Sequence, residues 1–526
     1  MHCVIGSGPA GVACAKALLA RGATVLMLDA GLELEPDRAQ VVRQCAAVKP
    51  EAWSAEQLAV MKSGMDADAK GVPLKLVFGS DFPYRETAEK IPWCNHGTGL
   101  KPSLALGGLS NVWGAAMLPY REEDIADWPV KNSELAPHYR AVTEFTGLAA
   151  RRDDLEEIFP LHCEQPGELP ASRQANLLLK NLNRHRDELR GRGWRFGRAR
   201  VAVRAADAPH GPGCVRCGAC MSGCPYGCIY NSADTVRELR GGNNFSYQRD
   251  VIVTKLRETP DKVFIEGFHR ETRVPLAFEA GRAYLAAGVI PTAQILLRSQ
   301  AAYDRPLTLC DSQYFIFPIL LARRTRDVRA EALYALSQLF IEINRPDISR
   351  HSVHLQVYSY CDIIGAGVRN SLGPLKMLAR PVEDRLLVVQ GYLHSDESPT
   401  MVMELKRDGD KDCLHMNARE NPRARRVTKK ILRELLRQSH RLGGVAVPPM
   451  LQMGTPGRGF HCGGSLPMRA QPGIFESDTL GRPHGWSRVH AVDASILPSI
   501  PATTITFSVM ANAHRIGWET AGLQSL

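Results

Sequence analysis

The sequence predicts an α/β chain, α+β overall. A discontinuous Rossmann-like dinucleotide-binding domain is joined to a second domain built on a largely antiparallel sheet. Three observations predict it. A strand–glycine loop–helix–strand unit opens the chain. A second apolar strand suited to the same sheet appears only at 282–288. Between 352 and 405, three segments alternate polar and apolar residues, as half-buried strands do.

The opening unit has its parts in order. Cys3, Val4 and Ile5 form a short buried strand. Gly6-Ser7-Gly8-Pro9-Ala10-Gly11 follows, then a helix with Val12, Ala13, Ala17 and Leu18 on its apolar face. A second strand at 24–28 ends in Asp29. Gly6 allows the tight turn, Gly8 lets a pyrophosphate approach the backbone, and Gly11 lets helix and strand pack closely. The helix N-terminus favours phosphate, and Asp29 stands where a carboxylate binds the ribose hydroxyls of an adenosine. The strand at 282–288, whose end includes Ala287, and the helical Thr292 to Leu297 favour FAD over NAD. No second glycine fingerprint is present to hold a nicotinamide cofactor.

The C-terminal region supplies the other half. It contains His461-Cys462-Gly463-Gly464-Ser465-Leu466-Pro467-Met468, then Val489-His490-Ala491-Val492-Asp493-Ala494-Ser495. Pro498-Ser499-Ile500-Pro501-Ala502-Thr503-Thr504-Ile505-Thr506 follows, and a helix through Met510, Ala511 and Ile516 closes the chain. With Ala105-Leu106-Gly107-Gly108-Leu109-Ser110-Asn111-Val112-Trp113-Gly114, these blocks resemble the glucose–methanol–choline oxidoreductase family. The likeness is to its pyranose-oxidase-like and bacterial FAD sugar dehydrogenase members, and Asp127-Trp128-Pro129 and 135–140 agree with it.

The resemblance implies an FAD-dependent oxidation of a hydroxyl on a sugar or sugar-like alcohol. Hydride would pass to flavin N5, with His461 as the base. Implied flavin-binding residues are Gly107, Gly108, Ser110, Asn111, Trp113, Asp493, Ala494, Thr504 and Ile505, beside Gly6, Gly8, Gly11, Asp29 and Ala287. Val112 stands where covalent members carry histidine, so the FAD is expected to be non-covalent. The family's second His or Asn, eleven residues after the aspartate, is here Thr504. A hydroxyl hydrogen-bonds but does not accept a proton as imidazole does. Three readings follow: His461 suffices and Thr504 positions the alcohol; a residue of the middle, such as His351, His354 or Tyr358, completes the pair; or the reaction is a lyase or other non-oxidative one.

Cys214, Cys217, Cys220 and Cys224-Pro225 form a C-x2-C-x2-C-x3-C-P run, the spacing of bacterial ferredoxins. An iron–sulfur cluster, a zinc ion and plain cysteines or a disulfide all remain open. A cluster would pass electrons to an acceptor protein or quinone. A catalytically silent electron-transfer subunit is the reading furthest from an alcohol oxidoreductase.

With 526 residues, the chain exceeds one ordinary domain. The FAD domain is expected at 1–50, 92–150, 205–300 and 455–526. The substrate domain takes 151–204 and 301–454, and 51–91 forms a connecting segment or lid. The net charge of +10 is concentrated at 184–204 and 419–441. In the second stretch Val427, Ile431, Leu432, Leu435, Leu436 and Leu442 recur at helical spacing, so its charges read as the solvated face of an amphipathic helix. No nucleic-acid motif accompanies them, and no transmembrane run or secretory leader is expected. The fourteen cysteines do not follow a secreted disulfide pattern, which points to a reducing, cytoplasmic setting.

Overall fold

The structure is a computed structural model. It describes residues 1–63, 66–67, 72–208, 211–409 and 411–522. Of the predicted ranges, 64–65 and 68–71 in the connecting segment, 209–210, 410 and 523–526 lie outside the described residues.

The opening unit forms as read. Strand His2–Ile5 runs into helix Pro9–Ala20, which starts with proline in its first turn, where the missing N–H costs nothing. Strand Val25–Leu28 follows. His2–Ile5 is central in a five-stranded parallel sheet, between Val25–Leu28 and Arg282–Leu285. Val489–Ala491 lies outside Arg282–Leu285, and Phe245–Gln248 outside Val25–Leu28. Parallel neighbours need long crossovers, which is why one sheet draws on segments hundreds of residues apart. The last helix, Thr506–Thr520, packs against Pro9–Ala20. A Cβ at Gly517 would stand 2.7 Å from the Cys14 carbonyl, so the two helices approach at backbone distance there. An antiparallel three-stranded sheet of Val251–Glu258, Val263–His269 and Pro275–Ala280 is appended.

The second large sheet has seven strands, all antiparallel. Its main path runs Gly444–Ala446, Tyr314–Leu321, Leu386–Tyr392, Val353–Tyr358, Leu339–Ile343, Trp194–Arg198, and Gln452–Met453 also pairs with Tyr314–Leu321. One face packs Leu355, Val357, Leu387 and Val389 against helices Arg173–Arg184 and Pro422–Arg437. The latter helix buries Val427, Ile431, Leu432 and Leu435. Leu436 departs from the predicted stripe and is 38% exposed, because it sits at the margin of that face in the last turn.

One strand departs from the expected pairing. Strand Thr400–Asp408, predicted to join the same sheet, pairs instead with Leu307–Asp311 and Lys411–Arg419 in a separate five-stranded sheet. Alternation fixes which side chains share a face, not which strand is the neighbour. Within the other basic stretch, 184–204, Arg198 and Arg200 are buried, donating to the carbonyls of Leu169 and Phe159. The five-stranded sheet further includes Trp93–His96 and Cys462–Gly463, so it combines strands from both groups of predicted domain ranges.

Candidate active site

A cavity of about 520 Å³ runs from the first glycine loop to the polar face of the seven-stranded sheet. At its outer end Gly6 has φ +106°, and a Cβ there would stand 2.4 Å from the Ala286 carbonyl. A Cβ at Gly11 would stand 2.0 Å from the Gly6 carbonyl. These two positions admit no side chain, whereas a Cβ on Gly8 would meet nothing within 4 Å. The backbone there faces open cavity at a helix N-terminus, as a pyrophosphate requires. Asp29 is oriented by Ser7 N–H (3.2 Å), Ser7 Oγ (2.7 Å) and Tyr247 OH (3.1 Å), which donate to its carboxylate. Burial raises its pKa to about 6 against the pull of those bonds. The loop thus fits the dinucleotide it was read to hold.

Asp493 follows strand Val489–Ala491 and accepts from Gly288 N–H (2.9 Å), Thr292 Oγ1 (2.6 Å) and Ser495 N–H (3.0 Å). It ties the two late segments together at the cavity wall, where Ala287, Ala494 and Ile505 also lie. Gly108, Ser110 and Trp113 line the cavity, but Gly11, Gly107 and Asn111 do not. Gly107, at φ +83°, donates from its N–H to Ser7 Oγ (2.9 Å). Asn111 donates to the carbonyls of Leu106 (2.9 Å) and Gly108 (2.7 Å). Both build the turn from behind. Ser110 Oγ is likewise engaged within the turn, 2.6 Å from the Gly107 carbonyl. Trp113 Nε1 donates to the Tyr230 carbonyl (2.9 Å), and Lys75 Nζ donates to the Trp113 carbonyl (2.9 Å).

His461 and Thr504 both line this cavity. Backbone bonds join the stretch after His461 to the one after Asp493: Gly464, Leu466 and Met468 N–H donate to the carbonyls of Ala494, Ser495 and Ile496 at 3.0, 2.8 and 2.8 Å. His461 Nδ1 and Thr504 Oγ1 are buried without a hydrogen-bond partner. Such groups cost free energy unless a ligand satisfies them. The His461 ring stacks on Tyr392, centroids 4.6 Å apart. Burial, aided by the neighbouring His354, lowers its pKa to about 3, so the imidazole is neutral.

The roof is the polar face of the seven-stranded sheet. Gln356 and Gln390 are cross-strand partners, as are Tyr314 and Tyr392. With Tyr358 they line the cavity. Sequence reasoning named Tyr358 without placing it and missed Gln356, Gln390, Tyr314 and Tyr392. The signal was present as alternation, since these polar residues are interleaved with buried aliphatic ones. His354 stands on the same face as Gln356 and Tyr358, opposite Tyr392, and is paired through Nδ1 with its other cross-strand partner, Glu342. It does not line the cavity but meets two residues that do: Gln356 (3.1 Å), which accepts from Tyr358 OH (2.9 Å), and Tyr392, whose ring centroid is 6.1 Å away. His351 is elsewhere, stacked on His394 at 3.6 Å and 2.9 Å from Asp396.

The cysteine run borders this site. Met221 and Ser222 line the cavity, and Cys224 lines a second one of about 550 Å³ shared with Lys75 and Trp113. Left-handed residues Arg216, Gly218, Gly223 and Gly227 coil the loop. The Cys220 and Cys224 sulfurs accept from the N–H groups of Ala335 (3.3 Å) and Cys228 (3.3 Å). The hydrogen bond with the Cys228 thiol holds the Cys224 pKa down to about 6, while burial pushes Cys217 up to about 11. Burial lowers Lys75 to about 8 against the pull of Cys220 and Cys224. Among the described residues, no three of the run's sulfurs lie within 4.8 Å of one another. A single zinc with bonds of about 2.3 Å would hold them near 3.8 Å.

No protein-family model matches the chain, and no curated protein sequence matches it. Solved structures do. Pyridoxine 4-oxidase from Mesorbium loti superposes with a TM-score of 0.63 at 16% identity, covering 99% of each chain. Formate oxidase gives 0.60 at 14% identity, covering 98% of this chain and 97% of its own. At such identity the likeness shows the fold, and it shows it over the whole length. Among the described residues no helix is long and apolar enough to cross a membrane.

Proposed function

We propose that this chain is an FAD-dependent oxidoreductase of the glucose–methanol–choline type, oxidising a hydroxyl of a sugar or sugar-like alcohol. One observation carries the reading. A cavity with a dinucleotide loop at one end holds, at the other, two buried and unpartnered groups suited to an alcohol: His461 Nδ1 and Thr504 Oγ1. Two solved neighbours of this fold are named as oxidases. Gly6, Gly8 and Asp29 would hold the adenosine diphosphate part. Asp493, Ala494, Thr504 and Ile505 would face the flavin part, beside the N-terminus of helix Thr506–Thr520. The bound flavin supplies the hydride acceptor.

The remaining work falls to the chain. Neutral His461 takes the hydroxyl proton. Thr504 Oγ1 hydrogen-bonds the same oxygen and orients it. Gln356, Gln390 and Tyr358 offer partners for further hydroxyls, and the aromatic roof excludes water. Mixing the flavin-loaded protein anaerobically with a panel of sugars and alcohols tests the proposal: bleaching of the flavin absorbance is expected. Turnover without a redox change would favour the lyase reading that Thr504 prompts. Bleaching only by a partner protein would favour the electron-transfer subunit.

We propose further that the run Cys214, Cys217, Cys220 and Cys224 holds an iron–sulfur cluster and carries electrons out to an acceptor protein or quinone. Its place beside Trp113 and its open sulfur spacing support a cluster over one zinc ion. Iron and acid-labile sulfide in anaerobically isolated protein are expected, and their absence would make oxygen or a soluble acceptor the oxidant. A reducing, cytoplasmic setting accords with such a cluster and with cysteines that are free thiols throughout the described residues.

A further inference from the structure

Away from the cavity, the edge of the five-stranded sheet repeats Cys-x-His on two adjacent strands. Trp93–His96 runs parallel to Lys411–Arg419, with Cys94 opposite His415 and His96 opposite Asn417. Cross-strand partners share a face, and so do residues two apart. Cys94, His96, Cys413 and His415 therefore stand on one face. The opposite face carries Leu414 and Met416, both fully buried, with Trp93 packed on the same core. The Cys–His face is the outer one: Cys94, Cys413 and His415 are half-buried and His96 is exposed. One ligand atom each from Cys94, Cys413 and His415 lies within 4.8 Å of the other two. The two sulfurs are 2.7 Å apart, and the His96 and His415 rings stack at 5.7 Å and 22°.

We propose that this face binds a zinc ion through Cys94, Cys413 and His415, with His96 as the fourth ligand. Two thiolates and two imidazoles are the donor set that tetrahedral zinc takes in structural sites. Both cysteines are free thiols. Zinc–sulfur bonds of about 2.3 Å set sulfurs about 3.8 Å apart, so binding parts this pair by about 1 Å. A disulfide would use the sulfurs and give the converging His415 no role. Binding releases the two thiol protons to solvent and changes no oxidation state. The two thiolates neutralise the ion, with Lys406 opposite Cys413 and Glu404 opposite His415 on the next strand. The ion would fasten the edge strand to its sheet. That strand leads into Leu100 to Ala105, which form part of the cavity wall. The site is independent of the proposed reaction.

The test uses the full-length, flavin-loaded protein, reduced and stripped with a chelator, with zinc as the sole added ion. Alkylation is read cysteine by cysteine by mass spectrometry. Cys94 and Cys413 are expected to react in the stripped protein, and one equivalent of zinc should protect both. Cys94→Ser and His415→Ala should each bind one zinc fewer per chain than the wild type while keeping their flavin, and Cys214→Ser should not lose this zinc. Equal alkylation of Cys94 and Cys413 with and without zinc would overturn the proposal. So would a Cys94–Cys413 disulfide in freshly isolated protein before any reductant is added. The alkylation arm needs only wild-type protein, so poor folding of a variant does not blunt the test.

Discussion

Replacing His461 by alanine separates the proton step from flavin binding. The imidazole touches Tyr392 and the inner cavity, not the glycine loop, so His461→Ala should keep its FAD. A positioned base contributes about 100- to 10,000-fold, which is roughly 3 to 5 kcal/mol of barrier. The rate of flavin reduction by substrate should fall by that factor. The structure also fixes the pH axis. An ordinary imidazole, with pKa near 6.5, would be about 97% protonated at pH 5, whereas one at about 3 is about 1% protonated there. The base form is therefore present throughout, and kcat/KM should show no acid limb from His461 between pH 8 and 5. Stopped-flow reduction across that range measures both quantities. An unchanged rate in His461→Ala refutes the role. An acid limb near pH 6.5 that vanishes in the variant refutes the buried, neutral imidazole.

Gly11→Ala puts a methyl group 2.0 Å from the Gly6 carbonyl, where only backbone can yield; overpacking of this kind costs about 1–3 kcal/mol. Lower flavin content and a lower melting temperature are expected, by absorbance and calorimetry. Val112 offers no nucleophile to a flavin, so acid precipitation should leave the yellow colour in the supernatant, and a yellow pellet would contradict this. His490 is fully buried against Tyr284, centroids 5.0 Å apart, and burial lowers its pKa to about 3. The unfolded chain binds this proton first as pH falls below 6.5, so stability declines from there and levels off near pH 3. From pH 7 to 5 the loss is about 2 kcal/mol. His490→Gln, which can still donate to the Leu480 carbonyl, should lose about that much less in denaturant melts; equal losses would show that His490 is not the acid-sensitive group.

The nucleotide half of the fold was legible because backbone crowding dictates its residues. Gly6 and Gly11 tolerate no Cβ, so the spacing is visible in any sequence that builds the turn. The stretches after His461 and Asp493 lie together for another reason: backbone hydrogen bonds of 2.8 to 3.0 Å zip 464–468 to 494–496. The roof was half legible. The alternation at 352–360 and 386–392 gave the faces correctly, but pairing between strands is non-local. Thr400–Asp408 alternates equally well and belongs to another sheet. Nothing in the local pattern distinguishes Gln356, which lines the cavity, from His354, which shares its face but pairs with Glu342 on the next strand. Asn111 and Gly107 were misplaced by one layer, because a turn that shapes a site and a turn that touches a ligand have the same composition.

The charges around the cavity bear on what it oxidises. Among its described lining residues, the carboxylates are Asp29 and Asp493. Both are committed at the nucleotide end, to Ser7 and Tyr247 and to Gly288 and Thr292. Among the described lining residues, the inner end around His461 has amides, phenols, hydroxyls and the Arg458 guanidinium but no acid. A cationic alcohol would find no counter-ion there, and its charge would oppose the proton arriving on His461. A neutral polyol needs no counter-ion and does not oppose that proton, and Gln356, Gln390 and Tyr358 can pair with its hydroxyls. Neutral sugars and polyols should therefore reduce the flavin at least tenfold faster than a quaternary-ammonium alcohol at equal concentration. At tenfold the difference is about 1.4 kcal/mol in barrier, less than a typical charge-assisted hydrogen bond contributes. Faster reduction by the cationic alcohol would mean that the inner end carries a negative charge this arrangement lacks.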